Sequence, residues 1–186
     1  MKGRLLSVII GALALVGCYE GSARTVSIGH VNHQPGWALV SGMRLVRQSS
    51  EHGCGAAALA MVLQRWGVPS SSDAAIASES AADDLGIAAG ALRDLARRKG
   101  LQAFLIRGEE ADLSREVSLD RPVLVGLVQR YTTRSYSHYE VVVGMNRSLR
   151  RVLMLDPGRG MREDDFDSFA AEWGGAGRLT LVVGPH

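Results

Sequence analysis

The sequence predicts an α+β fold, with N-terminal helices packed on a mostly antiparallel sheet, and three observations carry that expectation. Apolar residues recur at helical spacing between Gly55 and Lys99, then give way to short β-branched and aliphatic runs from Leu101 onward. Those runs follow one another with turn residues between them, without the strand–helix–strand alternation that a parallel sheet needs. At 186 residues, with 46% hydrophobic and 22% charged residues, the chain is large enough and apolar enough for one domain with a sizeable core.

The elements follow in chain order. The opening stretch MKGRLLSVIIGALALVGC places Lys2 and Arg4 before an apolar run from Leu5 to Val16. That run is too short to span a bilayer as a mature helix and has the layout of a secretory signal. Its ending, LVGC, resembles the lipobox of bacterial lipoproteins, in which a small residue precedes a cysteine that is acylated and becomes N-terminal. The resemblance implies a lipoprotein signal peptide over residues 1–17, lipidation at Cys18 and a membrane partner through that lipid; a plain signal with an incidental cysteine is the alternative. Tyr19, rather than Asp, follows the cysteine, which in a Gram-negative cell implies the periplasmic face of the outer membrane.

Residues 18–42, rich in Gly, Ser, His, Asn and Pro, are expected to be a lipidated N-terminus and tether with one short strand. His30 and His33 lie in it and are read as solvated rather than metal-binding. The domain proper is expected over 43–186. Leu59, Val62, Leu63 and Trp66 mark a helix from Gly55 to Trp66, stopped by Gly67 and Pro69. Ser72 and Asp73 cap a second helix reaching Ala82, and Ala91 to Lys99 forms a third, ended by Gly100. LQAFLIR, RPVLVGLV, SHYEVVVGM, RRVLMLDP and RLTLVVG are strands, with a turn expected around Asn146 to Arg150. Phe166, Phe169 and Trp173 place a last helix between the final two strands.

Charge and motifs exclude several classes. Once Lys2 and Arg4 leave with the signal, 19 basic residues face 19 acidic ones, scattered along the chain, so nucleic acid is not an expected partner. No phosphate-cradling loop is present, GMREDD has the wrong spacing for calcium, and no cofactor is expected.

The stretch QSSEHGCGAAALAMVL carries the chemistry. With Cys18 committed to lipid, Cys54 is the one cysteine left over, an uncomfortable residue in an exported protein unless it has a use. A cysteine at a helix N-terminus faces unpaired N–H groups and the positive end of the dipole, which favour a thiolate. The glycines on either side allow a tight turn and close approach of a substrate backbone. A thiolate nucleophile needs a base, and the base needs an orienting group. His138 opens a strong strand, and Asp156 ends the next one, so a hairpin would bring the two together; an ordinary Asp-Pro turn is the plainer reading of Asp156. The Cys54 N–H supplies one oxyanion donor, and the side-chain amide of Gln48 could supply another.

The order Q…GCGAAALAMVL, then SHYEVVVGM, then LDPGRG…DDFDSFAAEW resembles the bacteriocin-processing cysteine peptidases, the papain-like domains that trim double-glycine leaders in ABC exporters. The resemblance spans about Met43 to Val183. It implies Cys54 as nucleophile, His138 as general base and acid, Asp156 as orienting residue and Gln48 as oxyanion donor, with no metal. It also implies a peptide or protein substrate and association with an exporter or surface-assembly system. Two features depart from the exporter domains: Gly53 stands where an acidic residue is common, and transporter and ATPase regions are lacking. The expected function is a lipid-anchored peptidase of the cell envelope. Acyl transfer on the same triad, a non-catalytic peptide-binding module, and a metal site from His52, Cys54 and His138 are the alternatives. Tyr131, Arg134 and Tyr136 precede His138 and could line its cleft, although an exposed polar loop is the simpler reading.

Overall fold

The computed structural model describes residues 18–69, 71–80 and 86–186; the signal-peptide reading of residues 1–17 lies outside them. At its centre is a helix, Cys54–Arg65, buried at every position from Gly55 to Leu63. Leu59, Met61, Val62 and Leu63 are fully shielded, while Ala56, Ala57, Ala58 and Ala60 let neighbouring elements approach from the remaining sides. A helix apolar all round belongs in the middle of a fold. Each large side chain so buried is worth roughly 1.5–3 kcal/mol.

Around it, in chain order, run β1 (Arg24–Thr25), α1 (Ile28–Asn32), β2 (Trp37–Leu39), the central helix α2, α3 (Asp73–Glu79), α4 (Ala89–Arg98), β3 (Gln102–Arg107), α5 (Glu110–Ser118), β4 (Val123–Tyr131), β5 (Arg134–Asn146), β6 (Arg151–Asp156), β7 (Gly160–Asp165), α6 (Phe166–Gly175) and β8 (Leu179–Gly184). One eight-stranded sheet has the order β1-β7-β6-β5-β4-β8-β3, with β2 paired to the far end of β5. Every pairing is antiparallel. The α+β arrangement expected from the sequence is the one observed.

Several details differ from expectation. Helix α3 is capped by the Ser72 hydroxyl, which accepts from the Ala75 N–H, and stops at Ser80; the expected end at Ala82 lies outside the described residues. Helix α5 and strand β7 were not foreseen. In α5 only Leu113, Glu116 and Val117 are buried, too short a stripe to stand out. Strand β7 reads GMREDD, yet Arg162, Glu163 and Asp164 are all buried, a pattern opposite to what their charges suggest.

The segment 18–42 is a correction. Expected as a tether with one strand, it is laid along the sheet. Tyr19 bridges Tyr131, β1 pairs with β7, α1 is capped by Ser27, and Val31 is buried. Strand β2 takes residues Gly144 to Asn146 of β5 through Leu39, Ala38 and Trp37. The backbone of this segment finds its partners in the sheet, so it is structure and not slack.

Candidate active site

Cys54 is the first residue of α2. Gly53 precedes it as N-cap and offers no side-chain bond, so the leading N–H groups stay open. The backbone N–H groups of Gly55 and Tyr139 lie near the sulfur and favour its anionic form. Gly55 is needed here for contact: a Cβ at this position would sit 3.2 Å from the Tyr139 ring. The Tyr139 ring of β5 therefore packs directly on the backbone of α2, which carries the thiol to the strand that bears the imidazole.

His138 and Glu140 project from the same face of β5, and Tyr139 from the other. The expected β5–β6 hairpin forms, with Val141 opposite Leu155. It delivers Asp156 to His138, with Nε2 and Oδ1 3.0 Å apart. Nε2 being so engaged, Nδ1 is the ring nitrogen left for the thiol. The plainer reading of Asp156 is also realised, because the same Oδ1 accepts the Gly158 N–H at 2.7 Å and the Arg159 N–H at 3.1 Å. The carboxylate builds its turn and orients the ring at once.

The charges agree with the geometry. Burial pushes the Cys54 thiol up, but the bond and charge of His138, with the two N–H groups, bring it below its ordinary value. Burial alone would lower His138; Asp156, Cys54 and the charge of Glu140 overcome it and raise the imidazole to about 10. Burial would likewise raise Asp156, whose carboxyl is instead held below its usual range by His138, the Gly158 N–H and Arg162. The shifts favour the thiolate form of Cys54 and the imidazolium form of His138, with a carboxylate behind them.

Gln48 lies at the site without the presentation expected of an oxyanion donor. Its Nε2 donates to the carbonyls of Ser50 at 2.9 Å and Glu51 at 3.2 Å, and both amide protons are used within that turn. Its backbone N–H donates to Pro157, tying it to the Asp156 segment, while Oε1 is buried without a partner. His52 lines the cleft beside Cys54.

Sequence reasoning missed the support behind the triad. Arg162, only 1% exposed, bonds both Glu140 and Asp156, the latter at 3.3 Å. Its other terminal nitrogen donates to the Tyr19 hydroxyl at 3.0 Å, and that hydroxyl donates to Glu172 at 2.6 Å. Gln129 donates to Glu140 at 2.8 Å. Burial pushes the Glu140 carboxyl up to about 7, against the pull of Arg162. A lone Glu inside the apolar run YEVVVGM, two residues from His138, was the signal available. Among the described residues, His138, Glu140 and Asp156 are grouped closely enough to suggest a metal. The guanidinium of Arg162 already sits against both carboxylates, so a cation there would be repelled. His52, Cys54 and His138 do not make such a group among the described residues.

Two recesses meet at the Cys54–His138 pair. One, about 410 Å³, runs past Gln48 and Asp156 toward Tyr131 and Arg159. The other, about 540 Å³, is walled by small and apolar residues including Gly86, Ile87, Gly126, Gly175 and Leu179. Together they form a groove with the sulfur at its middle, a shape that admits an extended chain.

The fold recurs in solved structures. The peptidase domain of Streptococcus ComA, a bi-functional ABC transporter involved in a quorum-sensing pathway, superposes with a TM-score of 0.64 at 24% identity, over 77% of this chain and 99% of that one. A double-glycine-motif protease from an AMS/PCAT transporter, crystallised with the leader peptide, gives 0.62 at 22% identity over 78% and 94%. A C39-like peptidase from Bacillus anthracis gives 0.63 at 17% identity over 80% and 97%. These likenesses establish the papain-like fold. Among curated proteins no match was found. The model of the Peptidase C39 family matches residues 43–183, most of the chain and all of the site just described. The chain belongs to the Peptidase C39 family and is a papain-like cysteine peptidase.

Proposed function

We propose that this protein is a lipid-anchored peptidase that cleaves exported or envelope peptides by a Cys-His-Asp mechanism. The observation that carries the proposal is the chain of contacts from Cys54 through His138 to Asp156. The Cys54 thiolate attacks the peptide carbonyl carbon, and the resulting oxyanion lies against the N–H groups at the start of α2. Gln48 is the second donor, after its amide swings away from Ser50 and Glu51. The C–N bond then breaks, the imidazolium of His138 gives its proton to the leaving amine, and an S-acyl enzyme remains. Neutral His138 next takes a proton from water, the hydroxide displaces the thiolate, and the acid product departs. Asp156 holds the ring in the tautomer and orientation both steps need.

A peptide substrate is supported by the two-recess groove and by a similar domain bound to a leader peptide. The anchor is supported by the lipobox-like LVGC and by the exposure of Cys18. In a Gram-negative cell such an anchor would put the enzyme on the periplasmic face of the outer membrane, where an exporter or surface-assembly system would bring it substrate.

Cys54→Ala should abolish labelling by iodoacetamide at that site and lower peptide hydrolysis by about 10⁴-fold or more, with the circular dichroism spectrum unchanged. Hydrolysis surviving at the wild-type rate would sink the triad. For the anchor, Cys18→Ala should move the protein out of the membrane fraction and remove the diacylglyceryl mass from the N-terminal peptide. A wild-type protein without that mass would refute lipidation.

A further inference from the structure

The recess on the Tyr131 side of Cys54 holds two cations that the catalytic mechanism does not use. Arg24, Arg65, Arg115, Arg151 and Arg162 each have a carboxylate partner. Arg134 and Arg159 are among the described arginines with no carboxylate partner, and they are the arginines that line this recess. Their faces are stacked instead: Arg159 lies 5.4 Å from the Tyr19 ring and 5.6 Å from that of Tyr131, and Arg134 lies 4.6 Å from that of Tyr136. The rings brace one another, Tyr131 meeting Tyr136 edge-on at 5.4 Å and Tyr19 at 5.6 Å. The loop that looked merely polar in the sequence is therefore an ordered cluster of rings and guanidinium planes.

Stacking occupies the face of a guanidinium and leaves its edge of N–H donors free, which is the geometry that takes a carboxylate in a bidentate fashion. Arg159 is also fixed relative to the chemistry, since its own N–H bonds Asp156 at 3.1 Å. Burial and the neighbouring Arg162 both disfavour its charge, a cost that a bound anion relieves. Arg134 lies four residues before His138 on the same face of β5, farther along the groove. Glu51, exposed, is the remaining unpaired carboxylate lining the recess.

We propose that this recess selects peptides carrying an acidic side chain near the cleaved bond, held by Arg159 and, farther out, by Arg134. The inference rests on the peptidase reading and adds a substrate class to it. Both arginines line the same recess as Cys54, so the carboxylate they hold belongs to a residue near the reacting carbonyl.

The test uses the full chain and a peptide library of fixed length, balanced in Asp, Glu, Asn, Gln, Lys and Arg. Peptides captured by the Cys54→Ala protein, and peptides cut by the wild type, are sequenced by mass spectrometry. Acidic residues should be enriched about tenfold at one or two positions, a charged hydrogen bond's worth of preference. Arg134→Glu and Arg159→Glu should invert the preference toward Lys and Arg, a gain that a misfolded variant could not produce, and the Arg→Lys forms should retain part of it. Equal capture and cleavage of acidic and neutral peptides would overturn the proposal. Capture of acidic peptides without cleavage by the wild type would leave it standing and remove the peptidase reading. A third arm measures co-sedimentation of the Cys18→Ala chain with phosphatidylglycerol vesicles. Binding lost in Arg134→Glu, with no acidic preference among peptides, would assign these cations to lipid headgroups and also overturn it.

Discussion

At Cys54 two opposing effects meet, and the winner sets the reactivity. Burial favours the neutral thiol; the imidazolium and two N–H groups favour the thiolate and prevail. His138 stays protonated to about 10, so the counter-charge beside the sulfur is present across neutrality. The alkylation rate of Cys54 in the wild type should therefore fall with acid at a lower pH than for an ordinary thiol, as the sulfur takes up its proton through a depressed pKa. In His138→Ala the burial remains while the counter-charge is gone, so the thiol pKa rises and the falling limb moves to higher pH. Iodoacetamide kinetics from pH 5 to 10 measure this; an unmoved limb would strip His138 of its role. Cys54 and Asp156 could be read from sequence because each stands where an element begins or ends, and His138 because it precedes the apolar run YEVVVGM, although β5 itself starts earlier, at Arg134. Arg162 could not: between Met161 and Glu163 it looks solvated, and only the fold reveals that it lies against two buried carboxylates.

Helix α2 and strand β5 meet at Gly55 and Tyr139, and that contact aligns sulfur with ring. Gly55→Ala sets two effects against each other. Alanine gains up to about 1 kcal/mol of helix propensity, less at a helix end, while its methyl presses the Tyr139 ring from 3.2 Å. Stability should change by less than about 1 kcal/mol. Alkylation at neutral pH should nevertheless slow, because Tyr139, whose N–H favours the thiolate, must shift. Parallel urea titration and thiol kinetics separate the two, and an unchanged alkylation rate would show that the contact does not align the site. Elements with long apolar runs, such as α2, β4 and β5, were visible from periodicity alone. Strand β7 was hidden because it is built of buried charges, and α5 because its Glu109–Asp112 capping box, rather than an apolar stripe, defines its start.

Across the whole molecule the buried charges act as a keystone joining distant segments. Arg162 of β7 ties β5 through Glu140 and the end of β6 through Asp156. Through Tyr19 it also reaches the N-terminal segment and Glu172 of α6. Arg162→Leu would leave Glu140 without its cation and Asp156 with the His138 ring alone, and removing one member of such a group costs about 3–5 kcal/mol. The urea midpoint should drop accordingly; a shift worth less than 1 kcal/mol would mean that the carboxylates simply take up protons. The packed N-terminal segment was illegible because its Gly, Ser and Pro match any loop, and its partners lie more than a hundred residues away. One of those partners sets the reach of the enzyme. The Cys18 carbonyl is held by the Thr132 N–H at 3.1 Å, on the hairpin that walls the cleft. An acyl chain on Cys18 would thus moor the groove flush against the leaflet with no leash to pay out. Polypeptides threading out of the bilayer would then be met at the doorway, and those drifting free of the membrane would find it half shuttered.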